Sequence, residues 1–416
     1  MRSKRFRVGL VILGAAVALA VGVADAGAAE YSWQQPQAKV LPQGDLEWAP
    51  RAFVFEKGDS VRYIDYEGGE DANDGLTKTT PWKHHPWDEK ATGRAAACSG
   101  VHTYVFKRGS IYRGYLLADD SGEPGNPIRL TSDPAWGSGE AAFYGSVALT
   151  DGWKRCTPAD APERMPEPTK VWYRDIGTDS VPRSLWERRG DEVERIQVAR
   201  EPDWTISNPD DPQAEWFTWD RRERPGGWSV DEDQLTQPDP DYYVGATVWS
   251  EYAGNMGVVH KRRIEGYDPT RNAVRPIYRG SKGLRYFLED LPQFLDGPGE
   301  YYYARSGEHA GRLYVRLSSD RDPNGAILEM PVRHYLVEIR DQSHVSGTGL
   351  RFSFLNAREE AGWPVEVYSP AAVRIAGNCR HIRVANCRFS HVPRAVNGFA
   401  RLDEQFTEEY MPQLGH

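Results

Sequence analysis

Cysteine is scarce in this sequence, with four residues in 416. No C-x-x-C spacing occurs and the histidines are scattered, so the sequence excludes a zinc centre of the usual kind. Cys379 and Cys387 flank a strand-like segment, residues 381–385, and an extended chain holds them beyond disulfide reach. A disulfide between Cys98 and Cys156 stays open.

Long hydrophobic runs are also scarce, because the chain has one such run, Val8 to Ala24. Basic residues precede it and Ala24-Asp25-Ala26 follows it, which is typical of a removable secretory signal. A retained membrane anchor is the alternative. The pattern predicts a signal peptide over residues 1–29, a secreted or extracytoplasmic location, and no membrane contact after cleavage.

An excess of basic residues is absent as well, since the formal net charge is −9. An acidic chain is a poor candidate for binding nucleic acid. The 40 Gly and 29 Pro residues favour turns and short strands, and the 14 Trp and 21 Tyr residues suit stacking on sugar rings. Ordinary packing is the alternative role for these aromatic residues. A polysaccharide is therefore the expected partner, and the oligomeric state is open.

The chain is divided by changes in patterning into five segments. We predict a signal over 1–29, an N-terminal extension over 30–57, and a first set of strands over 58–155. Residues 156–324 are rich in Trp, Pro and Asp and indicate a large, mostly β insertion. Residues 325–416 return to short alternating strands.

Internal repetition gives the strongest structural signal. Residues 344–354 align with residues 381–391 at an offset of 37, with four identities, and Val337-Glu338-Ile339 aligns with Val373-Arg374-Ile375 at an offset of 36. Strands that recur at this interval in the same order are typical of stacked coils, whereas a β-sandwich does not require the same order. The fold class predicted is all-β, a right-handed parallel β-helix with a large insertion.

The alignment also assigns individual positions in the coil. Cys387 occupies the position of Leu350, so we predict a buried thiol with a packing role. Asn386 lies opposite Gly349 at the bend between two strands, and both residue types tolerate positive φ.

These pieces resemble the pectate-lyase-like superfamily of right-handed parallel β-helix proteins. The resemblance rests on Tyr63-Ile64-Asp65 with the turn at residues 71–75 and Pro81-Trp82, and on similar pieces near residues 108–113 and 121–128, as well as Gly299-Glu300-Tyr301 with Gly311-Arg312-Leu313-Tyr314. It covers residues 58–155 and 297–400. It implies a secreted, polysaccharide-active protein, but fold alone does not choose among lyases, glycosidases, epimerases and non-catalytic members.

The turn that holds Asp71, Asn73 and Asp74 carries oxygen ligands of the kind that Ca²⁺ prefers. The match to an EF-hand loop is poor. The alternative is an Asx-rich turn that satisfies its own backbone amides. Calcium is the one cofactor that the sequence suggests.

A basic outer face is the candidate catalytic region. Residues 331–400 contain nine Arg and no Lys. Alternation predicts that Arg374, His381 and Arg383 point outward, and that Arg351 and Arg388 are aligned on neighbouring coils, which is unfavourable unless a negative group lies between them.

A lyase that acts on a uronate polymer needs such groups to neutralise the carboxylate and to abstract the neighbouring proton. Arg374, His381, Arg383 and Arg388 form the predicted catalytic set, with His381 as the base and Arg351 binding substrate. The alternative is that these arginines pair with acidic residues, namely Glu338, Glu359, Glu360 or Glu366, or contact the insertion.

Two other functions stay open. A glycoside hydrolase of the same fold needs two carboxylates across a cleft, and a non-catalytic glycan-binding protein needs none. Residues 401–416 either cap the last coil or leave the stack of coils incomplete.

Overall fold

We analysed a computed structural model, which describes residues 38–42, 46–48, 52–178, 180–223, 226–251, 259–277, 281–357 and 370–399. The predicted signal peptide, residues 401–416 and the residues Glu359, Glu360 and Glu366 lie outside this part of the chain. Two compact units are present, Met1–Ala52 and Phe53–His416. In the first unit β1 (Ala38–Val40) pairs antiparallel with β2 (Leu46–Trp48).

The first part of the second unit consists of short strands rich in β-branched and aromatic residues. One helical turn, α1 (Gly93–Ala96), interrupts them. The strands are β3 (Val61–Ile64), β4 (Thr103–Arg108), β5 (Ile111–Tyr112), β6 (Leu116–Ala118), β7 (Ile128–Gly137), β8 (Ala141–Tyr144) and β9 (Ser146–Leu149).

The middle of the chain is a β-rich insertion. Its strands are β10 (Lys154–Arg155), β11 (Trp172–Asp175), β12 (Leu185–Arg189), β13 (Glu192–Val198), β14 (Arg200–Glu201), β15 (Phe217–Thr218), β16 (Arg221–Glu223), β17 (Trp228–Val230), β18 (Thr247–Glu251), β19 (Val259–Arg263), β20 (Gly266–Asp268), β21 (Ala273–Arg275), β22 (Arg285–Glu289), β23 (Glu300–Tyr303), β24 (Arg312–Arg316) and β25 (Ile327–Pro331). Short 3₁₀ helices lie at Pro168–Lys170, Pro292–Phe294 and Ser318–Asp320.

The last part returns to short strands. These are β26 (Tyr335–Arg340), β27 (Ser343–Thr348), β28 (Leu350–Ser353), β29 (Ala371–Ala376), β30 (Arg380–Ala385), β31 (Arg388–Ser390) and β32 (Val396–Phe399). The described residues thus contain almost no helix, and the all-β prediction is confirmed. No helix among them is long and apolar enough to cross a membrane.

Three sheets combine strands from the first and last parts of the second unit, and every pairing within them is parallel. Sheet 1 has the order β32-β29-β26-β6, sheet 2 the order β3-β4-β7-β27-β30, and sheet 3 the order β31-β28-β8-β5. Successive strands enter these sheets in a recurring order. Strands β26, β27 and β28 belong to sheets 1, 2 and 3 in turn, and β29, β30 and β31 repeat that order.

The register agrees with the sequence alignment. Val345 pairs with Ile382, Phe352 with Phe389, and Val337 with Val373. Left-handed backbone also recurs at the offset of 37, because Gly349 and Asn386 have φ of 66° and 51°. The prediction that both residues occupy positive-φ corners is therefore confirmed.

The core between the three sheets is a stack of side chains from successive strands. Tyr112, Phe143, Phe352 and Phe389 form a column of rings with centroid separations of 5.1, 5.4 and 5.2 Å. Burying each such ring contributes about 1.5–3 kcal/mol. Cys387 packs against this core, and burial raises its pKa, as expected of the inward position.

The insertion contains an eight-stranded mixed sheet and two smaller antiparallel sheets. The chain leaves the parallel sheets through β9 and returns to them through β25, and these two strands pair with each other. Cys156 packs in a core of this insertion, whereas Cys98 packs against the core of the parallel sheets. The disulfide that was left open between these two residues does not form, and both are free thiols.

Candidate functional site

A cavity of about 430 Å³ lies at the edge of sheet 1, beside β6 and β26. We call it the sheet 1 groove. Apolar and ionisable side chains line it together: Pro86, Trp87, Asp88, Glu89, Tyr115, Leu117, Ala118, Asp119 and Arg340. A concave site of this size with convergent polar groups is the usual form of a ligand-binding site.

Strand alternation places the polar side chains on the outer face of sheet 1. Leu116 and Ala118 are buried, whereas Leu117 between them is 39% exposed. On the neighbouring strand, Val337 and Ile339 face the core. Glu338 and Arg340 must therefore project to the other face.

Glu338 is the centre of a hydrogen-bonded network on this face. Its carboxylate accepts hydrogen bonds from the Tyr115 hydroxyl, from Arg340 Nη2 at 2.6 Å and from Arg374 Nη1 at 3.0 Å. The residue is only 2% exposed. Burial raises the pKa of Glu338, but the bonds from Tyr115 and Arg340 and the arginine charges outweigh burial, so that the pKa is lowered.

Two carboxyl groups that line the groove, those of Asp88 and Asp119, have pKa values shifted in the opposite direction. Burial raises the pKa of Asp88, which is 8% exposed and accepts a bond from the Lys90 backbone N–H at 2.9 Å. Burial and the neighbouring Asp120 raise the pKa of Asp119. The pKa values of Asp88 and Asp119, which line the groove, are thus raised, whereas that of Glu338, which bonds the lining residues Tyr115 and Arg340, is lowered.

The register sets the spacing between Glu338 and Asp119. Ala118 pairs with Ile339, so Asp119 follows opposite Arg340, diagonal to Glu338. A strand separation of about 4.8 Å and a rise of about 3.3 Å per residue put the two Cα atoms roughly 8 Å apart.

The predicted catalytic set does not form one face. Arg374 lies on sheet 1, His381 and Arg383 on sheet 2, and Arg388 on sheet 3. The interpretation treated consecutive strands as coplanar. Corners such as Asn386 instead direct successive strands into different sheets, so the four residues are spread over three sheets.

Each member of that set has a different surrounding. Arg374 bonds Glu338, as the pairing alternative expected. Arg383 forms an exposed ion pair with Glu56 at 3.4 Å. The His381 ring stacks on His344 with centroids 4.5 Å apart. Of the four, only Arg374 contacts the network at the sheet 1 groove.

Arg351 and Arg388 are brought together as the alignment predicted. They pair in register on β28 and β31. The negative group that this arrangement requires is Glu140, whose Oε2 lies 3.2 Å from Arg351 Nη1 and 3.6 Å from Arg388 Nη1.

The proposed calcium ligands hydrogen-bond neighbouring segments as well as their own turn. The Asp71 carboxylate accepts bonds from the His84 and Thr92 backbone N–H groups, at 2.8 and 3.0 Å. The Asn73 amide donates to the Pro81 carbonyl at 2.9 Å, and Asp74 Oδ1 accepts from Leu76 and Thr80. The bond from the Leu76 N–H to Asp74 is of the Asx-turn kind, and calcium at this turn stays a prediction.

One grouping with metal-ligand spacing is found among the described residues, and it lies in the insertion. Carboxylate oxygens of Asp203, Asp296 and Glu300 are within 4.8 Å of one another. Burial, followed by the charge of Asp203, raises the pKa of Glu300 to about 9. Burial and Asp296 raise the pKa of the adjacent Glu201 to about 7.

Sequence reasoning missed Tyr115, Asp88 and Asp119. They belong to the first part of the unit, and the register that joins β6 to β26 spans the whole insertion. Glu338 carried a usable signal, because it aligns with Arg374 and occupies an outward position of a repeated strand.

No family model matches the sequence, and no curated protein matches it. Among solved structures, the chain is similar to one described as a glycoside hydrolase, with a TM-score of 0.57 and 16% identity over 80% of this chain and 62% of that chain. This similarity shows a shared fold.

Two further structures share less. XylC in complex with xylose gives a TM-score of 0.35 and 13% identity over 77% of this chain and 41% of that chain. A GH136 lacto-N-biosidase from Eubacterium ramulus gives a TM-score of 0.28 and 11% identity over 83% of this chain and 31% of that chain. The chain spans less than two thirds of the length of each of these three structures.

Proposed function

We propose that this protein is a glycan-cleaving enzyme of the glycoside hydrolase type, with its active site in the sheet 1 groove. The observation that carries the proposal is the opposed pKa shift of Glu338 and Asp119 on adjacent strands. Carboxyl groups whose surroundings drive their pKa values apart are the usual acid and base of such enzymes.

In this reaction Asp119 donates its proton to the glycosidic oxygen as the bond to the anomeric carbon breaks. Glu338 is the ionised carboxylate, and it lies next to the lining residues Tyr115 and Arg340 with 2% of its surface exposed. One of these two side chains must therefore move aside before Glu338 attacks the anomeric carbon or takes a proton from the attacking water. Tyr115 and Arg340 line the groove and bond Glu338, so they orient the carboxylate and favour its charged form. Pro86, Trp87 and Leu117 supply apolar surface for sugar rings.

The fold type, the location and the substrate of the protein belong to the same proposal. We interpret the three parallel sheets as coils of a right-handed parallel β-helix of the pectate-lyase-like type, which fits their recurring order. The basic and apolar N-terminus supports export, and a polysaccharide outside the cytoplasm is the proposed substrate. The fold shared with the structure described as a glycoside hydrolase supports this assignment.

The proposal is tested with Glu338→Gln and Asp119→Asn on a panel of acidic and neutral polysaccharides. We expect Glu338→Gln to lower the release of reducing ends at least a hundredfold, because general-base or nucleophilic help is lost. Asp119→Asn should lose activity on polysaccharides but keep more on aryl glycosides, whose leaving groups need no proton.

The exposed ion-pair residue Glu56 provides the matched control. Glu56→Gln removes the same charge from the segment before β3 and should leave activity unchanged, while circular dichroism checks that every variant folds. Full activity in Glu338→Gln, or equal losses in all three variants, would contradict the assignment.

Lyase action on a uronate polymer is the second candidate. Arg340 and Arg374 lie on neighbouring strands of sheet 1, where both bond Glu338, and they supply two cations for the substrate carboxylate. Cleavage that creates an unsaturated, ultraviolet-absorbing end would favour this candidate over hydrolysis. A protein that binds glycans and yields neither product would rule out both.

A further inference from the structure

A second cavity, of about 440 Å³, lies on sheet 3. It is separate from the sheet 1 groove, and we call it the sheet 3 groove. Its lining comes from the parallel sheet and from the turn between β12 and β13 of the insertion: Gly109, Ser110, Ile111, Gly139, Glu140, Ala142, Tyr144, Arg188, Gly190, Asp191, Val193, Arg351 and Arg388.

Packing holds the two walls of this groove in place. Trp186 of β12 stacks edge-on against His391 at 4.6 Å, and the His391 ring lies parallel to Phe354 at 5.0 Å. Tyr144 and Phe354 form a buried cluster against which Trp186 and Val193 pack. The turn with Asp191 is therefore fixed above the strands that carry Arg351 and Arg388.

Arginines outnumber carboxylates around this groove, where Asp191 is the remaining acidic side chain of the lining. Arg351 and Arg388 share one carboxylate, Glu140. Arg188 shares the fully buried Glu329 with Arg113. Two pairs of arginines thus have one carboxylate each.

Arg388 is the arginine with most capacity for a ligand. Its side chain is 65% exposed, and among the described residues its only ion pair is the 3.6 Å contact with Glu140. Arg351 is held more firmly, with bonds to Ser353 and Glu140. The two arginine charges also contribute, after burial, to a lowered pKa of His391, as expected where positive charge is uncompensated.

We propose that the sheet 3 groove binds an acidic polysaccharide, with Arg388 and Arg351 gripping a carboxylate or sulfate group of the chain. Glu140 and Asp191 distinguish this ligand from a polyphosphate or a nucleic acid. Their carboxylates accept hydrogen bonds from sugar hydroxyl groups and repel a ligand that is charged at every residue. The site does not depend on the proposed hydrolysis, because it lies on another sheet.

The test measures binding of the full chain to four probes: polygalacturonate, dextran sulfate, uncharged dextran and inorganic polyphosphate. We expect one or both acidic glycans to bind, with an affinity that falls as salt is added. Arg388→Gln should weaken that binding about tenfold, because a charge-assisted hydrogen bond is lost. Polygalacturonate and dextran sulfate separate a carboxylate ligand from a sulfate ligand.

Arg383→Gln is the matched control. Arg383 is 56% exposed on sheet 2, and its loss changes the net charge by the same amount. Its binding should stay within about twofold of the wild type.

Three results would overturn the proposal. These are equal weakening by Arg388→Gln and Arg383→Gln, dextran bound as tightly as the acidic glycans, or polyphosphate bound as tightly and with the same response to Arg388→Gln. Because the Arg388 side chain is exposed and β31 is an edge strand of sheet 3, we do not expect its replacement by glutamine to affect folding.

Discussion

At the scale of single residues, the sheet 1 groove shows how neighbours set the charge of a carboxyl group. Glu338 is more buried than Asp119, yet its pKa is lowered, because three donors converge on it. For Asp119, burial followed by the charge of Asp120 raises the pKa. Burial alone therefore does not decide which group is the acid.

These directions lead to a prediction for the pH dependence of cleavage. Glu338 must be ionised, so activity falls as pH drops through its lowered pKa. Asp119 must be protonated, so activity falls as pH rises through its raised pKa. We expect a bell-shaped profile of kcat/KM for the wild type, and a residual activity in Asp119→Asn that no longer declines on the alkaline side.

The pH profile of Asp88→Asn distinguishes between the two aspartates whose pKa is raised. Asp88 also lines the groove, and its pKa is also raised. If Asp88→Asn rather than Asp119→Asn flattens the alkaline limb, the acid has been assigned to the wrong residue. An alkaline limb that is retained in both variants would assign the acid to a third group.

At the scale of strands and corners, positive φ is the feature that turns the chain between sheets. Gly349 stands between β27 and β28 with φ of 66°, and a Cβ added there would lie 2.5 Å from the Phe53 ring. We expect Gly349→Ala to destabilise the fold by about 1–3 kcal/mol, through backbone strain and the clash. Chemical denaturation would measure this loss.

A neighbouring glycine supplies the comparison. Gly347 lies two residues earlier on β27, and a Cβ added there meets nothing within 4 Å. Gly347→Ala should change the free energy of unfolding by less than about 0.5 kcal/mol. Equal losses in the two variants would show that the conformation at Gly349 is not what the corner requires.

The same corners explain what the sequence could and could not predict. The repeat at 37 residues aligned Val345 with Ile382 and Phe352 with Phe389, and the structure pairs these residues. It also placed Asn386 and Gly349 at bends. Other positive-φ positions, such as His344 and His381 with φ of 57°, lie within β27 and β30 and were not predicted from the sequence.

The site was harder to predict than the repeat, for two physical reasons. Alternation tells which side chains leave the core but not which sheet carries them, so Arg374 and Arg388 were assigned to one face. The pairing of β6 with β26 crosses the insertion, so no local pattern joined Tyr115 or Asp119 to Glu338. In contrast, Arg351 and Arg388 were correctly joined because they occupy the same position of adjacent repeats.

At the scale of the whole molecule, the insertion carries buried acidic groups that link its stability to pH. Glu300 is 5% exposed, and burial with Asp203 raises its pKa from the ordinary value of 4.5 to about 9. The unfolded chain therefore ionises this group at a lower pH than the folded chain does. Stability from Glu300 is complete below about pH 4.5 and is lost as pH rises toward 9.

We expect the Tm of the protein to fall between about pH 5 and pH 9, and Glu300→Gln to remove part of that fall. Glutamine keeps an oxygen for the Gly297 backbone N–H, which now bonds Glu300 at 3.2 Å, and it carries no charge near Asp203 and Asp296. The variant should match the wild type at pH 5 and melt at a higher temperature at pH 8.5. The exposed Glu192 gives the control, because Glu192→Gln removes one charge without relieving a buried group. A Tm difference between Glu300→Gln and wild type that is the same at both pH values would contradict the linkage, since a structural effect of the substitution does not depend on ionisation.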